Sequence, residues 1–172
     1  VLDAFCNSGG IGMHAAKAGA GFGTFLDSST GEIENAEKNF ALNELTSETD
    51  FIVMDVFDYF TKSIDAGRTF DIVMVDPPAF AKSRKSIPTA LKGYAKLNKM
   101  AASCVGVNGY LVTSSCSHHI SQEDFLEAVI SGASKAGKKL QQVHFNGASF
   151  DHPSIPGMNE TTYLKFAVFK VF

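Results

Sequence analysis

Along these 172 residues, short apolar runs alternate with segments in which apolar positions recur every three or four residues. The first kind reads as buried strand and the second as amphipathic helix. Their alternation predicts an α/β chain with a mostly parallel sheet covered by helices on both faces. Val1 to Phe5 is the first expected strand, followed by a glycine loop and a helix through IGMHAAKAG that stops at Gly19. FGTFLD (22–27) is the second strand, and Ser28, Ser29 and Thr30 offer caps for TGEIENAEKNFALNEL, in which Ile33, Ala36, Phe40 and Ala41 share one face. A third strand, DFIVMD, ends at Asp55, a short amphipathic helix follows in VFDYFTKSIDAG, and FDIVMVD is the fourth strand. Beyond a Pro-Pro turn and the polar AKSRKSIPTA, a helix is expected over about Leu91 to Val105, then the strand GYLVTSS. QEDFLEAVISGASKAG reads as a helix capped by Ser121, and LQQVHF and TYLKFAVFKVF read as two closing strands paired antiparallel around a proline-rich loop.

With 45% hydrophobic and 19% charged residues, the chain is ordinary globular material and is expected to form one domain over residues 1–172. No apolar run approaches the roughly 20 residues that would span a bilayer, and no secretory leader pattern opens the chain. A cytosolic (cytoplasmic) location and no membrane partner are therefore expected. Cys6, Cys104 and Cys116 are odd in number and form no C-x-x-C pair, so neither a disulfide framework nor a metal site is indicated. A net charge of −3 argues against nucleic-acid binding over the whole surface but leaves room for local basic clusters. The first residues, VLDAFCNSGG, begin inside an apolar strand with no cap and no initiator methionine. The expectation is a C-terminal piece of a longer protein.

In open α/β sheets, ligands lie at the carboxyl ends of the strands. The candidate cofactor residues are those just after each strand. Asp3 and the loop Phe5, Cys6, Asn7, Ser8, Gly9, Gly10 and Gly12 lead into a helix N-terminus, where glycines let backbone approach a ligand closely. Asp27, followed by Ser28 and Ser29, can accept hydrogen bonds from both hydroxyls of a ribose, or cap the next helix. Asp55 can take an adenine amino group, with Val56 donating its N–H and Phe57 packing nearby, or it too can be a cap. Three such strand ends in succession point to an adenosine site. NSGGIG lacks the G-x-G-x-x-G spacing of a dinucleotide fold.

These residues resemble a class I S-adenosylmethionine-dependent methyltransferase, and the resemblance covers nearly the whole chain. It implies a Rossmann-like fold with a mostly parallel seven-stranded sheet and an antiparallel last strand, with S-adenosyl-L-methionine as cofactor. In DPPAF (76–80), Asp76 and Pro77 would meet the methyl donor and the acceptor. Pro77 and Pro78 would hold carbonyls toward an exocyclic amine, and Phe80 would stack on the ring. TSSCSHH (113–119) sets Cys116 at the end of the fifth strand, beside Asp76, as a candidate nucleophile for carbon 6 of cytosine or as a small core residue. Ser115, Ser117 and the helix starting near Ser121 are candidate stabilisers of a thiolate, and His118 and His119 tune it or simply solvate the turn. Cys104 reads as core and Cys6 as lining the cofactor loop.

With DPPAFAKSRK, LVTSSCSHH, DHP (151–153) and NETTYLK (159–165) taken together, the chain resembles the bacterial large-subunit ribosomal RNA cytosine-5 methyltransferase family. That resemblance implies an RNA partner, Cys116 as the catalytic nucleophile, Asp76 assisting, and RNA-binding parts such as a PUA domain upstream. Lys82, Arg84 and Lys85, with Lys92 and Lys96, would hold flanking phosphates or form a solvated charged loop. Ala79 stands where many RNA cytosine-5 methyltransferases carry a second cysteine. Two rival readings are methylation of a guanine nitrogen, which needs no nucleophile, and a non-catalytic cofactor- or RNA-binding module. The 172 residues alone are expected to bind cofactor but to methylate RNA poorly.

Overall fold

The computed structural model of the chain describes residues 1–158 and 161–172. The elements, in chain order, are β1 (Leu2–Ala4), α1 (Gly10–Lys17), β2 (Phe22–Asp27), α2 (Thr30–Leu42), β3 (Glu48–Val53), α3 (Val56–Asp65), β4 (Phe70–Val75), α4 (Ile87–Ser103), β5 (Val105–Ser115), α5 (Gln122–Lys135), β6 (Leu140–Asn146) and β7 (Lys165–Val171). One seven-stranded sheet runs β3-β2-β1-β4-β5-β7-β6, with β7 antiparallel to both of its neighbours. The expected α/β architecture is the one observed.

Each strand divides its side chains between two layers because their direction alternates along it. Leu2, Ala4, Leu26, Val73, Val75, Leu111, Ala167 and Phe169 face one way and pack with Phe60 of α3, Tyr94 and Leu97 of α4, and Phe125 and Val129 of α5. On the other face, Phe25 meets Ile33 and Phe40 of α2, Met13 of α1 and Phe51 of β3. In β7, Lys165, Ala167, Phe169 and Val171 are the buried set. A lysine thus occupies an inward position.

Several boundaries differ from the sequence expectation. β3 ends at Val53, so Asp55 stands beyond the strand as the N-cap of α3. α4 starts at Ile87 rather than Leu91, with a proline in its first turn where a missing N–H costs nothing, and a short 3-10 turn, Arg84–Ser86, precedes it. Val105, expected in that helix, is the first residue of β5, whose early part is irregular: the β4–β5 register shifts between Phe70 and Ile72, and Asn108 has φ 60°. Asn159 and Glu160, the start of the NETTYLK stretch, lie outside the described residues.

Asp3 ties the start of α1 to the sheet. Its carboxyl is 2% exposed, and its Oδ2 accepts the Gly12 N–H at 2.7 Å. A Cβ on Gly12 would lie 2.5 Å from the Phe25 ring and 2.9 Å from Asp3 Oδ2, so only glycine lets helix and strand come this close. Burial raises the carboxyl to about 7, against the Gly12 hydrogen bond that lowers it. α4 and α5 also meet at a glycine. A Cβ on Gly132 would lie 2.4 Å from the Ala95 carbonyl oxygen and 2.9 Å from the Lys99 nitrogen.

Two outcomes follow from these contacts. Gly132→Ala forces α5 off α4 and is expected to cost about 1–3 kcal/mol, a fall in Tm of roughly 2–4 °C per kcal/mol for a domain of this size, read by thermal circular dichroism. Between pH about 4 and about 7 the unfolded chain has released the Asp3 proton while the folded chain keeps it, so this group's contribution to stability falls as pH rises through that window. The stability of Asp3→Asn relative to the parent, from denaturant unfolding, should therefore climb across the window and level off above it. A flat difference would show the carboxyl ionised throughout.

Candidate active site

The loop after β1 is wound tightly by three left-handed residues, Phe5 (φ 62°), Asn7 (φ 49°) and Gly9 (φ 86°). Such a loop closes on its own backbone: Gly9 N–H donates to the Cys6 carbonyl at 2.8 Å, and Ser8 N–H to Asn7 Oδ1 at 2.6 Å. Asn39 of α2 reaches the Ser8 carbonyl at 3.1 Å and fastens the loop from outside. A Cβ on Gly10 would meet no atom within 4 Å. The N-terminus of α1, with no acid in its first turn, therefore faces open space. Exposed helix N–H groups of this kind favour an anion.

Asp27 closes β2 against this loop. One carboxylate oxygen accepts Asn7 N–H at 3.1 Å, and the other accepts Ser29 N–H at 3.0 Å. Each oxygen keeps a further acceptor site. The cap of α2 is Ser29, whose side chain accepts from Glu32 N–H, so the helix-cap alternative falls to that serine. Ser28 is exposed beside it. Asp55 does cap its helix: Oδ1 accepts from Phe57 N–H at 2.8 Å and Asp58 N–H at 3.2 Å. Val56 is buried, and the half-buried Phe57 ring lies under Lys96 Nζ, 4.8 Å from its centroid. Cys6 is buried, and its thiol is pushed up to about 12 by burial and then by Asp3 and Asp27, which leaves it unreactive at neutral pH.

Asp76 follows β4 and takes the Ser114 hydroxyl of neighbouring β5 as a donor. Parallel pairing sets Val75 opposite Thr113, so residues one step later fall side by side. Cys116 follows two residues on. Its thiol donates to the Pro77 carbonyl at 3.9 Å, joining the two turns. The thiol is half-buried and raised from its ordinary value by burial and then by Asp76, against a backbone hydrogen bond at Cys116 and then Lys165, which lower it.

Three sequence expectations change here. Ser115 and Ser117 do not serve the thiol: Ser115 donates to the Tyr94 hydroxyl at 2.9 Å, and Ser117 Oγ accepts Ala81 N–H at 3.1 Å and pairs with Tyr94 at 3.0 Å. Ser121 caps α5 as expected, its hydroxyl accepting from Asp124 N–H. Phe80, offered as a stacking platform, packs into α4, its ring 4.6 Å from Tyr94 and directly over Gly93. Pro77 is buried and Pro78 exposed, while Lys82, Arg84 and Lys85 stand exposed beyond the turn, as do Lys92 and Lys96 on α4. The His118 and His119 rings lie tilted at 44° with centroids 3.6 Å apart, and Cys104 is core.

Two residues went unread in the sequence. Tyr94 carried a signal, since Ala90, Leu97 and Ala101 lie on its helix face, but nothing there marked its hydroxyl as a junction. Lys165 carried a clearer one, a lysine in phase with the apolar set of its strand. Its Nζ donates to the Ser117 carbonyl at 2.7 Å and the Ile120 carbonyl at 2.9 Å. Among the described residues, no group of three or more His, Cys, Asp or Glu side chains could hold a metal ion, and no helix is long and apolar enough to cross a membrane.

The chain is similar along its length to known proteins. The "Ribosomal RNA large subunit methyltransferase" of Deinococcus radiodurans is 36% identical over 170 residues, covering 98% of this chain and 41% of that protein. The "Ribosomal RNA large subunit methyltransferase I" of Shewanella frigidimarina is 34% identical over 173 residues, covering 100% of this chain and 44% of that protein. The chain thus spans less than half the length of either relative. Among solved structures, the SMU.776 protein complexed with SAH superposes with a TM-score of 0.86 at 26% identity, covering 98% of this chain and 44% of that one. The family model described as "Conserved hypothetical protein 95" matches residues 1–142, from β1 into β6, and the chain belongs to that family.

Proposed function

We propose that this chain is the catalytic domain of an S-adenosylmethionine-dependent methyltransferase that acts on large-subunit ribosomal RNA and forms 5-methylcytosine through Cys116. The names of the two relatives support the RNA class, and the SAH complex of the SMU.776 protein supports the cofactor. The observation that carries the base and the mechanism is the Cys116 thiol lying against the Pro77 carbonyl, next to Asp76.

The residues fit the cofactor. The open N-terminus of α1 suits a carboxylate, Asp27 has an acceptor site left on each oxygen for a ribose diol, and the second oxygen of Asp55 lies at the next strand end for an adenine amine. S-adenosylmethionine supplies a methyl group on an electrophilic sulfonium. Cys116 then does what cytosine cannot do for itself. Its thiolate forms a bond to carbon 6, and the electron pair of the 5,6 double bond makes carbon 5 the nucleophile that takes the methyl group, releasing a neutral thioether. A base removes the carbon-5 proton, the double bond re-forms, and the sulfur–carbon bond breaks to return the thiolate. Asp76 sits where it would accept from the exocyclic amine and hold the ring in place. With Ala79 in place of a second thiol, release rests on that proton removal. The base must arrive unstacked, and the cations at 82, 84 and 85 are suited to flanking phosphates.

The test uses the natural full-length protein and its Cys116→Ser form with methyl-labelled cofactor and RNA from cells lacking the enzyme. Labelled 5-methylcytidine is expected from the parent, with a loss of at least about a thousandfold in the serine form. A labelled guanosine that survives the substitution would move the activity to a base nitrogen. The cofactor site is tested separately by calorimetry on the 172-residue chain, where Asp27→Ala, losing hydrogen bonds to a charged group, should weaken S-adenosylmethionine binding by roughly a hundredfold. Unchanged affinity would remove Asp27 from the site.

A further inference from the structure

Lys165 is a cation in the wrong place for a structural residue. It is 6% exposed, stands on the inward face of β7 with Ala167, Phe169 and Val171, and its two hydrogen-bond partners among the described residues are neutral carbonyls. The ion pairs among the described residues, Arg68–Asp50 and His152–Asp151, do not involve it. Removing an ammonium from water costs several kcal/mol, and two carbonyl dipoles offset only part of that. A methionine at this position would fill the same volume without the cost. The antiparallel register explains what the charge is near: Lys165 lies directly opposite Ser115, the last residue of β5, and Cys116 comes next. Its two hydrogen bonds then span the turn that carries Cys116, one to residue 117 and one to residue 120.

We propose that Lys165 is a positioning residue for Cys116, clamping the 116–120 turn through the Ser117 and Ile120 carbonyls and acting as the buried counter-charge of the Cys116 thiolate. This rests on the reading of Cys116 as nucleophile. The charged groups facing the thiol are Asp76 from the end of β4, which opposes the thiolate, and Lys165 from β7, which favours it. Burial lowers the Lys165 ammonium from its ordinary value, and the charge of Cys116 raises it part of the way back. With Asp76 needed at the base, a cation on the opposite side is what permits a thiolate and a carboxylate to share one pocket.

The experiment follows the pH dependence of Cys116 alkylation by iodoacetamide in the parent and in Lys165→Met and Lys165→Gln. Peptide mass spectrometry separates Cys116 from the buried Cys6 and Cys104. Methionine removes the clamp and the charge, whereas glutamine keeps one hydrogen-bond donor and removes the charge. Both variants are expected to melt cooperatively, to react about tenfold more slowly at pH 7.5, a shift of one unit in the thiol, and to lose kcat with little change in the KM for S-adenosylmethionine. An unchanged alkylation profile in folded Lys165→Met, or a parental profile in Lys165→Gln, would overturn the counter-charge. Loss of cooperative melting in both variants would make the residue a structural anchor and overturn it as well. If alkylation slows but product formation is untouched in both the Lys165 and Cys116 variants, the reading of Cys116 as nucleophile fails while the charge coupling stands.

Discussion

The hydroxyl of Ser117 joins three separate segments. It accepts the Ala81 N–H from the turn after β4 and pairs with the Tyr94 hydroxyl on α4, and Tyr94 in turn accepts from Ser115 at the end of β5. All of these groups are buried. A buried N–H or hydroxyl left without a partner costs about 1–3 kcal/mol, so none of the three segments can drift without breaking a bond that water would not replace. The two turns, one bearing Asp76 and the other Cys116, are therefore set by a shared polar junction and not by loop stiffness alone. Phe80 packing on Tyr94 and Gly93 closes the same junction from the apolar side. The ring that looked available for a nucleobase is spent on keeping the turn where it is.

Charge in the pocket follows from that geometry. Asp3 lies within β1, Asp27 ends β2 and Asp76 follows β4, three adjacent strands, and the field of Asp76 and Asp27 adds to burial in holding the Asp3 proton on. A site built from converging carboxylates favours a positively charged ligand, and a sulfonium carries such a charge. The same field opposes a thiolate. Cys6 shows the outcome where no cation is near, with its thiol held protonated. Cys116 differs from Cys6 in having Lys165 behind it. The chain thus holds two thiols near acids, Cys6 near Asp3, Asp27 and Glu32 and Cys116 near Asp76, and gives only Cys116 a counter-charge.

The architecture was legible because it depends on periodicity. Strand alternation and helix spacing survive in any single sequence, and the glycine loop, Asp27 and Asp76 were readable because strand ends in an open parallel sheet are where ligands gather. What failed to read was direction at short range. Phe80 follows a Pro-Pro turn whether it faces a base or a helix. Ser115 and Ser117 flank Cys116 in sequence yet point away from it, since neighbours on an extended segment face opposite sides. DFIVMD reads as a strand up to Asp55 because it is apolar to its last residue, but pairing with β2 ends at Asp27–Val53, with a last bond from Met54 N–H to the Asp27 carbonyl. Lys165 is legible too, since a lysine in phase with Ala167, Phe169 and Val171 puts a charge on an inward position.

The stiffness of DPPAF has a chemical consequence as well as a mechanical one. Proline has no N–H, so residues 77 and 78 present only carbonyls along the turn. Pro77 is buried, and its carbonyl is the acceptor that the Cys116 thiol finds. A residue with an N–H at that position could turn a donor toward the thiol and tie up a thiolate as it formed. A carbonyl acceptor does the opposite: it holds the protonated thiol in place and offers nothing to a thiolate, as the proposed role of Cys116 as nucleophile requires. Cys116 lies between the Pro77 carbonyl, which accepts from its thiol, and Lys165, whose charge favours the thiolate.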